Sequence, residues 1–419
     1  MRETPAHCRR VRRSLIASRF ADTYIFVNFP ASPSASPSSA PVGPESPGAR
    51  LTVNQHPTPT DPITPPGAVV VHVFAHSDVG RTREHNEDAY VVADLAQGEP
   101  LHFDRGRTER VSARGTLFMV ADGMGGAAAG EIASEMAVEV VLQQMRRRWR
   151  EGTSVEPGAF VGTLKAATEV ANATIHHYAG DHPEMRGMGT TATIAGLLGD
   201  TLYLAQVGDS RAYLVRDGIA FQITKDQSLM QKLIEAGEIT AEEAEISDRR
   251  NIILQALGPE PHVKIDLTHQ RVRRDDVLVL CSDGLSGLVK PEQIARAVTE
   301  ERNPELAAER LVDLANASGG PDNITVVIAR FDGTGLESAA PVDEVGHQVF
   351  DSPDILTPTS TSPVVRVESI PELIGEVLPS ADPRAEIERK RRGALYVRVL
   401  AAVGIGLTLL FLWQVLTKL

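Results

Sequence analysis

The sequence predicts an α+β domain over residues 68–332, with antiparallel sheets covered by helices, and three observations carry that prediction. Strand-like and helical runs come in blocks, strands, then two helices, then strands again, whereas a parallel sheet alternates strand and helix one for one. Tight-turn signals such as Asp217-Gly218 join neighbouring strand-like runs in the manner of hairpins. Pro/Ser-rich segments on both sides bury too little apolar surface to order themselves, which delimits the globular stretch.

The elements follow in order. Val69–Phe74, Tyr90–Ala93 and Leu117–Ala121 are short apolar runs of strand length, the last ending at Asp122-Gly123. Ala127–Trp149 reads as a helix, because Ile132, Met136 and Val140 recur every four residues with Ala133, Ala137 and Val141 beside them. Phe160, Leu164, Ala167, Ala171 and Ile175 mark a second amphipathic helix. Strands return at Thr191–Leu197, Leu202–Val207, Ala212–Val215 and Ile219–Ile223, and a helical, acidic stretch covers Ser228–Ala244. Further strands are expected at Val263–Leu267, Val277–Cys281 and Ile324–Phe331. Pro291–Val298 and Pro304–Ala317 read as helices opened by proline, which fits the first turn. Residues 96–115 read as a solvated loop.

Outside that domain, residues 1–67 are expected to be a disordered basic arm, or a translation start placed too early, followed by a Pro/Ser-rich linker. Ala21, Asp22 and Thr23 break the apolar run that a secretory signal requires. Residues 333–392 read as a second linker, rich in Pro, Ser and Thr and ending in the basic cluster Arg389-Lys390-Arg391-Arg392. Val399–Thr417 carries no charge and approaches the ~20 residues that span a bilayer. Residues 393–419 are therefore expected to form one transmembrane helix. The basic cluster on its N-terminal side keeps that side, and the domain, in the cytoplasm. Lys+Arg is 42 against Asp+Glu 55, a formal net charge of −13. That balance argues against nucleic acid as a partner, since such binding needs a basic face. Two cysteines, Cys8 and Cys281, exclude a disulfide framework and a Cys-based zinc site.

The chemistry resides in acidic segments, several of them directly after apolar strands: Asn86-Glu87-Asp88, Asp122-Gly123-Met124-Gly125-Gly126, Gly208-Asp209-Ser210-Arg211, Ser282-Asp283-Gly284-Leu285 and Gly320-Pro321-Asp322-Asn323. Carboxylates that converge without partners raise one another's pKa, and hard divalent cations relieve that repulsion. A lone Asp-Gly is usually a turn; five such segments in one domain weaken that reading. Neither HExxH nor a Walker loop is present.

These segments, preceded by Ser77-Asp78-Val79-Gly80-Arg81-Thr82-Arg83-Glu84-His85 and accompanied by Gly130-Glu131, Met188-Gly189-Thr190-Thr191 and Ile324-Thr325-Val326-Val327, resemble the bacterial form of the PPM (PP2C-type) metal-dependent serine/threonine phosphatases. The resemblance spans about residues 68–332. It implies a β-sandwich flanked by helix pairs in α-β-β-α layers. It also implies a dinuclear Mn²⁺ or Mg²⁺ site whose activated water hydrolyses phosphoserine and phosphothreonine in proteins. On the matching positions, Asp122 bridges two ions, the Gly123 carbonyl and Glu87 complete one site, and Asp283 and Asp322 complete the other. Asp209 with Asp283 matches a third, weaker ion site. Arg83 matches the arginine that holds the substrate phosphate, Asp88 acts through water, and Asn323 stands with Asp88 behind the residues that touch the ions. Met124 stands where animal members carry a histidine. Gln227 and Asp248-Arg249-Arg250-Asn251 depart from the family pattern around Leu229–Ser247, which matches the variable flap beside the active site. The implied partners are phosphoproteins and opposing Ser/Thr kinases. Two other readings stand beside this one: a phosphatase dedicated to a single phosphoprotein, and a phosphoprotein-binding module that has lost catalysis.

Overall fold

The computed structural model describes residues 67–351, apart from 104, 126–128, 151, 153 and 341–343. The expected N-terminal arm, and the expected membrane segment at 393–419, lie outside the described residues. Among the described residues no helix is long and apolar enough to cross a membrane.

Among the described residues twelve strands and seven α-helices follow one another as the blocks predict. They are β1 (Val70–Asp78), β2 (Asp88–Asp94), β3 (Arg107–Arg110), β4 (Thr116–Met124), α1 (Ala129–Gln144), α2 (Pro157–Asp181), β5 (Gly189–Thr190), β6 (Ala192–Leu198) and β7 (Thr201–Val207). Then come β8 (Arg211–Arg216), β9 (Ile219–Gln222), α3 (Leu229–Glu235), α4 (Ala241–Glu245), β10 (Asp266–Arg271), β11 (Val277–Cys281), α5 (Asp283–Ser286), α6 (Pro291–Glu300), α7 (Pro304–Ala317) and β12 (Ile324–Asp332). One sheet runs β3-β1-β12-β11-β8-β9 and the other β10-β7-β6-β4-β2, with β5 paired to β4. Every strand pairing is antiparallel.

Alternation along the strands builds the layers. On β4, Phe118 and Val120 enter the core between the two sheets, while Leu117, Met119 and Ala121 face the helix layer. On β12, Val327, Ala329 and Phe331 join the same inter-sheet core, and Ile324, Val326 and Ile328 pack toward α6 and α7. Met136, Val140, Phe160, Leu164 and Ile175 of α1 and α2 cover the other sheet. Each such buried side chain contributes about 1.5–3 kcal/mol. The result is an α-β-β-α sandwich.

Four expectations are corrected. The loop at 96–115 contains β3, whose Arg107-Thr108-Glu109-Arg110 has no apolar pattern and joins β1 through its backbone. The stretch Ser228–Ala244 is two short helices, parted where Gly237 takes φ +72°. The strand expected at Val263–Leu267 lies at Asp266–Arg271, although Val263 and Ile265 still pack on the core. Residues 333–340 and 344–351, assigned to the linker, lie on the domain: Leu336 is buried, and Val349 bridges Thr268 of β10. The polar surroundings of Leu336 and Phe350 hid this, because much of the attachment uses backbone groups.

Candidate active site

Each acidic segment lies at the end or the start of an element on the same rim of the sandwich. Asp88 opens β2 directly opposite Asp122 on β4, so the antiparallel register alone brings these two carboxylates together. Gly123 follows and pairs with Thr190 of β5. Glycine is required there, because a Cβ would stand 2.2 Å from the Gly130 carbonyl and 2.5 Å from that of Glu87. Asp283 comes just after the end of β11, where it opens α5. Gly284 lets that turn close onto Asn323, whose carbonyl would lie 2.0 Å from an added Cβ. Asp322 precedes β12, the neighbour of β11.

Backbone and hydroxyl groups fix the acids. The Asp122 amide donates to Thr191 Oγ1 at 2.9 Å, and its carbonyl accepts from the Thr190 hydroxyl and the Thr191 amide, each at 2.9 Å. The Glu87 carbonyl accepts from the Gly123 amide at 3.1 Å and from Ser134 Oγ at 2.6 Å. Ser282 Oγ donates to Asp88 Oδ2 at 2.7 Å and accepts from the Thr325 amide at 3.0 Å. Asn323 pins the loop that carries Arg83: its Nδ2 donates to the carbonyls of Val79 (3.0 Å) and His85 (2.9 Å), and its Oδ1 accepts from the Glu87 amide (2.8 Å). Arg83 itself donates to Asp322 Oδ2 at 2.9 Å and lies 3.9 Å from Glu87.

The electrostatics are strained in one direction. Burial first, then the charges of Asp88, Asp283, Asp209 and Asp322, hold Asp122 well above the usual carboxylate range. Burial, with Asp283 and Asp322 close by, pushes Asp88 up to about 7. Burial and Asp283 push Asp209 up to about 7 as well, and burial with Asp322 raises Asp283. Burial acts to lower the Arg83 guanidinium, but Asp322, Glu87 and Asp122 outweigh it and raise its pKa. Asp88 Oδ1 and Asp209 Oδ1 are buried without a hydrogen-bond partner. An oxygen-only donor set, mutual repulsion and orphaned carboxylate oxygens are together what a hard divalent cation satisfies. Among the described residues no three His, Cys, Asp or Glu groups are spaced to hold an ion as the side chains stand.

Arg83, Glu87, Asp122, Gly123, Asp283 and Asp322 line one cleft of ≈ 380 Å³. Asp88, Asp209 and Asn323 sit behind it. His85, Met124 and Asn251 also face the cleft, as does Ile253, which no sequence signal marked. A larger groove of ≈ 430 Å³ between β9 and α6 gathers no converging carboxylates, so volume does not identify the site.

A family model described as "Protein phosphatase 2C" matches residues 97–316. The serine/threonine phosphatase stp of Listeria monocytogenes is 35% identical over 263 residues, covering 62% of this chain and 96% of that protein. The serine/threonine protein phosphatase PstP of Mycobacterium tuberculosis is 34% identical over 339 residues, covering 80% of this chain and 59% of that protein. The crystal structure of that PstP aligns with a TM-score of 0.53 at 36% identity, over 63% of this chain and 100% of the other. A structure of the PstP catalytic domain in complex with two manganese ions aligns with a TM-score of 0.51 at 36% identity, over the same shares. This chain belongs to the protein phosphatase 2C family.

Proposed function

We propose that this protein is a metal-dependent phosphatase that hydrolyses phosphoserine and phosphothreonine in proteins. The observation that carries the reading is the meeting of half-buried Asp122 and Asp283 with Asp322 and Arg83 at one cleft. Asp122, the Gly123 carbonyl and Glu87 would hold one Mn²⁺ or Mg²⁺, Asp283 and Asp322 with Asp122 a second, and Asp209 with Asp283 a third. When bound, such ions activate water and neutralise phosphate charge. Arg83 presents a planar fork that orients the phosphate oxygens. Asn323 holds the Arg83 loop in register with Asp322, through the bonds given above. Met124 cannot donate a proton, so the departing serine or threonine oxygen takes its proton from water in the cleft. A binding module without catalysis would be expected to lack one of the core acids, and all of them are present.

Manganese-dependent hydrolysis of a phosphothreonine peptide, with Asp122→Ala as control, tests the reading. Turnover that requires Mn²⁺ and disappears in the variant supports it; metal-independent turnover, or an unaffected variant, overturns it. The uncharged run Val399–Thr417 behind the basic cluster supports a further reading, that residues 393–419 anchor the chain in a membrane with its catalytic domain cytoplasmic. There it opposes membrane Ser/Thr kinases. Deleting 393–419 would then move the protein from the membrane fraction to the soluble fraction.

A further inference from the structure

β10 is the outer strand of its sheet, and residues 344–350 occupy its free edge. His269 donates its amide to the Gln348 carbonyl, and Phe350 donates its amide to the Leu267 carbonyl, each at 2.9 Å. Gln270 grips the same segment twice: its Oε1 accepts from the Gly346 amide at 3.1 Å, and its Nε2 donates to the Glu344 carbonyl at 3.2 Å. Phe350 anchors the far end in an aromatic cluster, its ring 5.5 Å from Tyr203 and 5.7 Å from His269. Tyr203 in turn meets Phe160 of α2 at 5.9 Å.

The strand under this strap supports the flap. Asp266, the first residue of β10, accepts from Gln227 Nε2 at 3.0 Å. Gln227 crosslinks the base of the flap. Its amide donates to the Gly208 carbonyl (2.9 Å), its Oε1 accepts from the Gly208 amide (3.0 Å), and its carbonyl accepts from the Leu254 amide (2.8 Å). Leu229 donates to Ile252, so both ends of the flap are tied at this point, and Asn251 and Ile253 beside it face the cleft. Burial, and then Lys225 at the base of the flap, lower the pKa of His347 in the strap, while Asp266 and Glu235 oppose them. Lys225 and Glu235 are themselves paired at 3.2 Å.

We propose that residues 344–350 are a specificity-determining strap: by occupying the edge of β10 they hold Asp266 and Gln227 in place, and so fix the flap against which a phosphoprotein lies. The proposal rests on the phosphatase reading of the cleft. A small aryl phosphate reaches the acids and Arg83 without needing the flap, whereas a protein substrate extends over it.

The test uses the full chain with two strap variants, Phe350→Ala and Gly346→Pro. Phe350→Ala removes the aromatic anchor, and Gly346→Pro removes the amide that Gln270 holds. Three quantities are read: kcat/KM on a phosphoprotein, kcat/KM on an aryl phosphate, and amide hydrogen exchange over 229–254. Both variants are expected to lose phosphoprotein kcat/KM roughly tenfold, to keep aryl phosphate turnover within about twofold, and to speed exchange in the flap. Unchanged flap exchange in both variants overturns the strap. Equal loss on the two substrates also overturns it, since that places the defect in the acids rather than the flap. Absence of manganese-dependent turnover in the unmodified chain would instead overturn the phosphatase reading, while the exchange measurement would still decide whether the strap steadies the flap.

Discussion

At Asp276 the cost of burying a charge meets a partner of good geometry. Arg216 donates to it twice, Nε to Oδ1 at 2.9 Å and Nη2 to Oδ2 at 2.6 Å, and the Arg273 amide adds a third bond at 2.7 Å. The two side chains are only 6% and 1% exposed. Burial raises the Asp276 carboxyl, and Arg216 opposes that shift. Deleting the carboxylate strands a buried guanidinium, so Asp276→Ala is expected to lower unfolding stability by about 3–5 kcal/mol in urea titration. A loss near the ~0–1 kcal/mol of a surface pair would contradict that account. Asp122 and Asp283 were marked at this scale, because each follows an apolar run and precedes a glycine, whereas Asp322 stands between Pro321 and Asn323 just ahead of β12. Their supports were not. Thr191, Ser134 and Ser282 act through hydroxyl hydrogen bonds, which leave no periodic trace in a sequence.

Among the elements, α5 shows how a four-residue helix sets a carboxylate. Gly284 packs so tightly on the Asn323 carbonyl that a methyl group must part α5 from the start of β12. Gly284→Ala is therefore expected to move Asp283 away from Asp322 and to cut manganese-dependent kcat by ~100-fold, with far-ultraviolet circular dichroism unchanged. Undiminished kcat would show that the close approach does not place the acid. Elements with strong apolar periodicity, such as α1, α2, β4 and β12, were readable within a few residues of their ends. β3 and the strap were not, because each lies at the margin of a sheet and is placed largely by backbone pairing, which charged or mixed side chains allow as well as apolar ones. The helix expected over Ser228–Ala244 breaks at Gly237, a position that its acidic composition did not mark.

For the molecule as a whole, two sheets and two helix layers converge their strand ends on one acidic rim, which sets a cost on the fold that cations remove. Asp88 and Asp209 stand at about 7, against an ordinary value near 3.8. Between those values the native chain holds more protons than the unfolded chain, so their contribution to stability falls as pH rises. With cations chelated, the unfolding midpoint should drop from about pH 4 to about pH 7, and saturating Mn²⁺ should flatten the decline. A chelated protein whose stability rises through that window would contradict the electrostatic account. The layered fold followed from the order of blocks in the sequence; the meeting of five distant segments at one rim followed only from strand order, since Asp122 and Asp283 are brought close by the contact between sheets. Anomalous diffraction at the manganese edge from soaked crystals tests the central claim most directly. The account predicts at least two peaks among the side chains of Asp122, Asp283 and Asp322, and a cleft without ordered manganese at saturating concentration would contradict it.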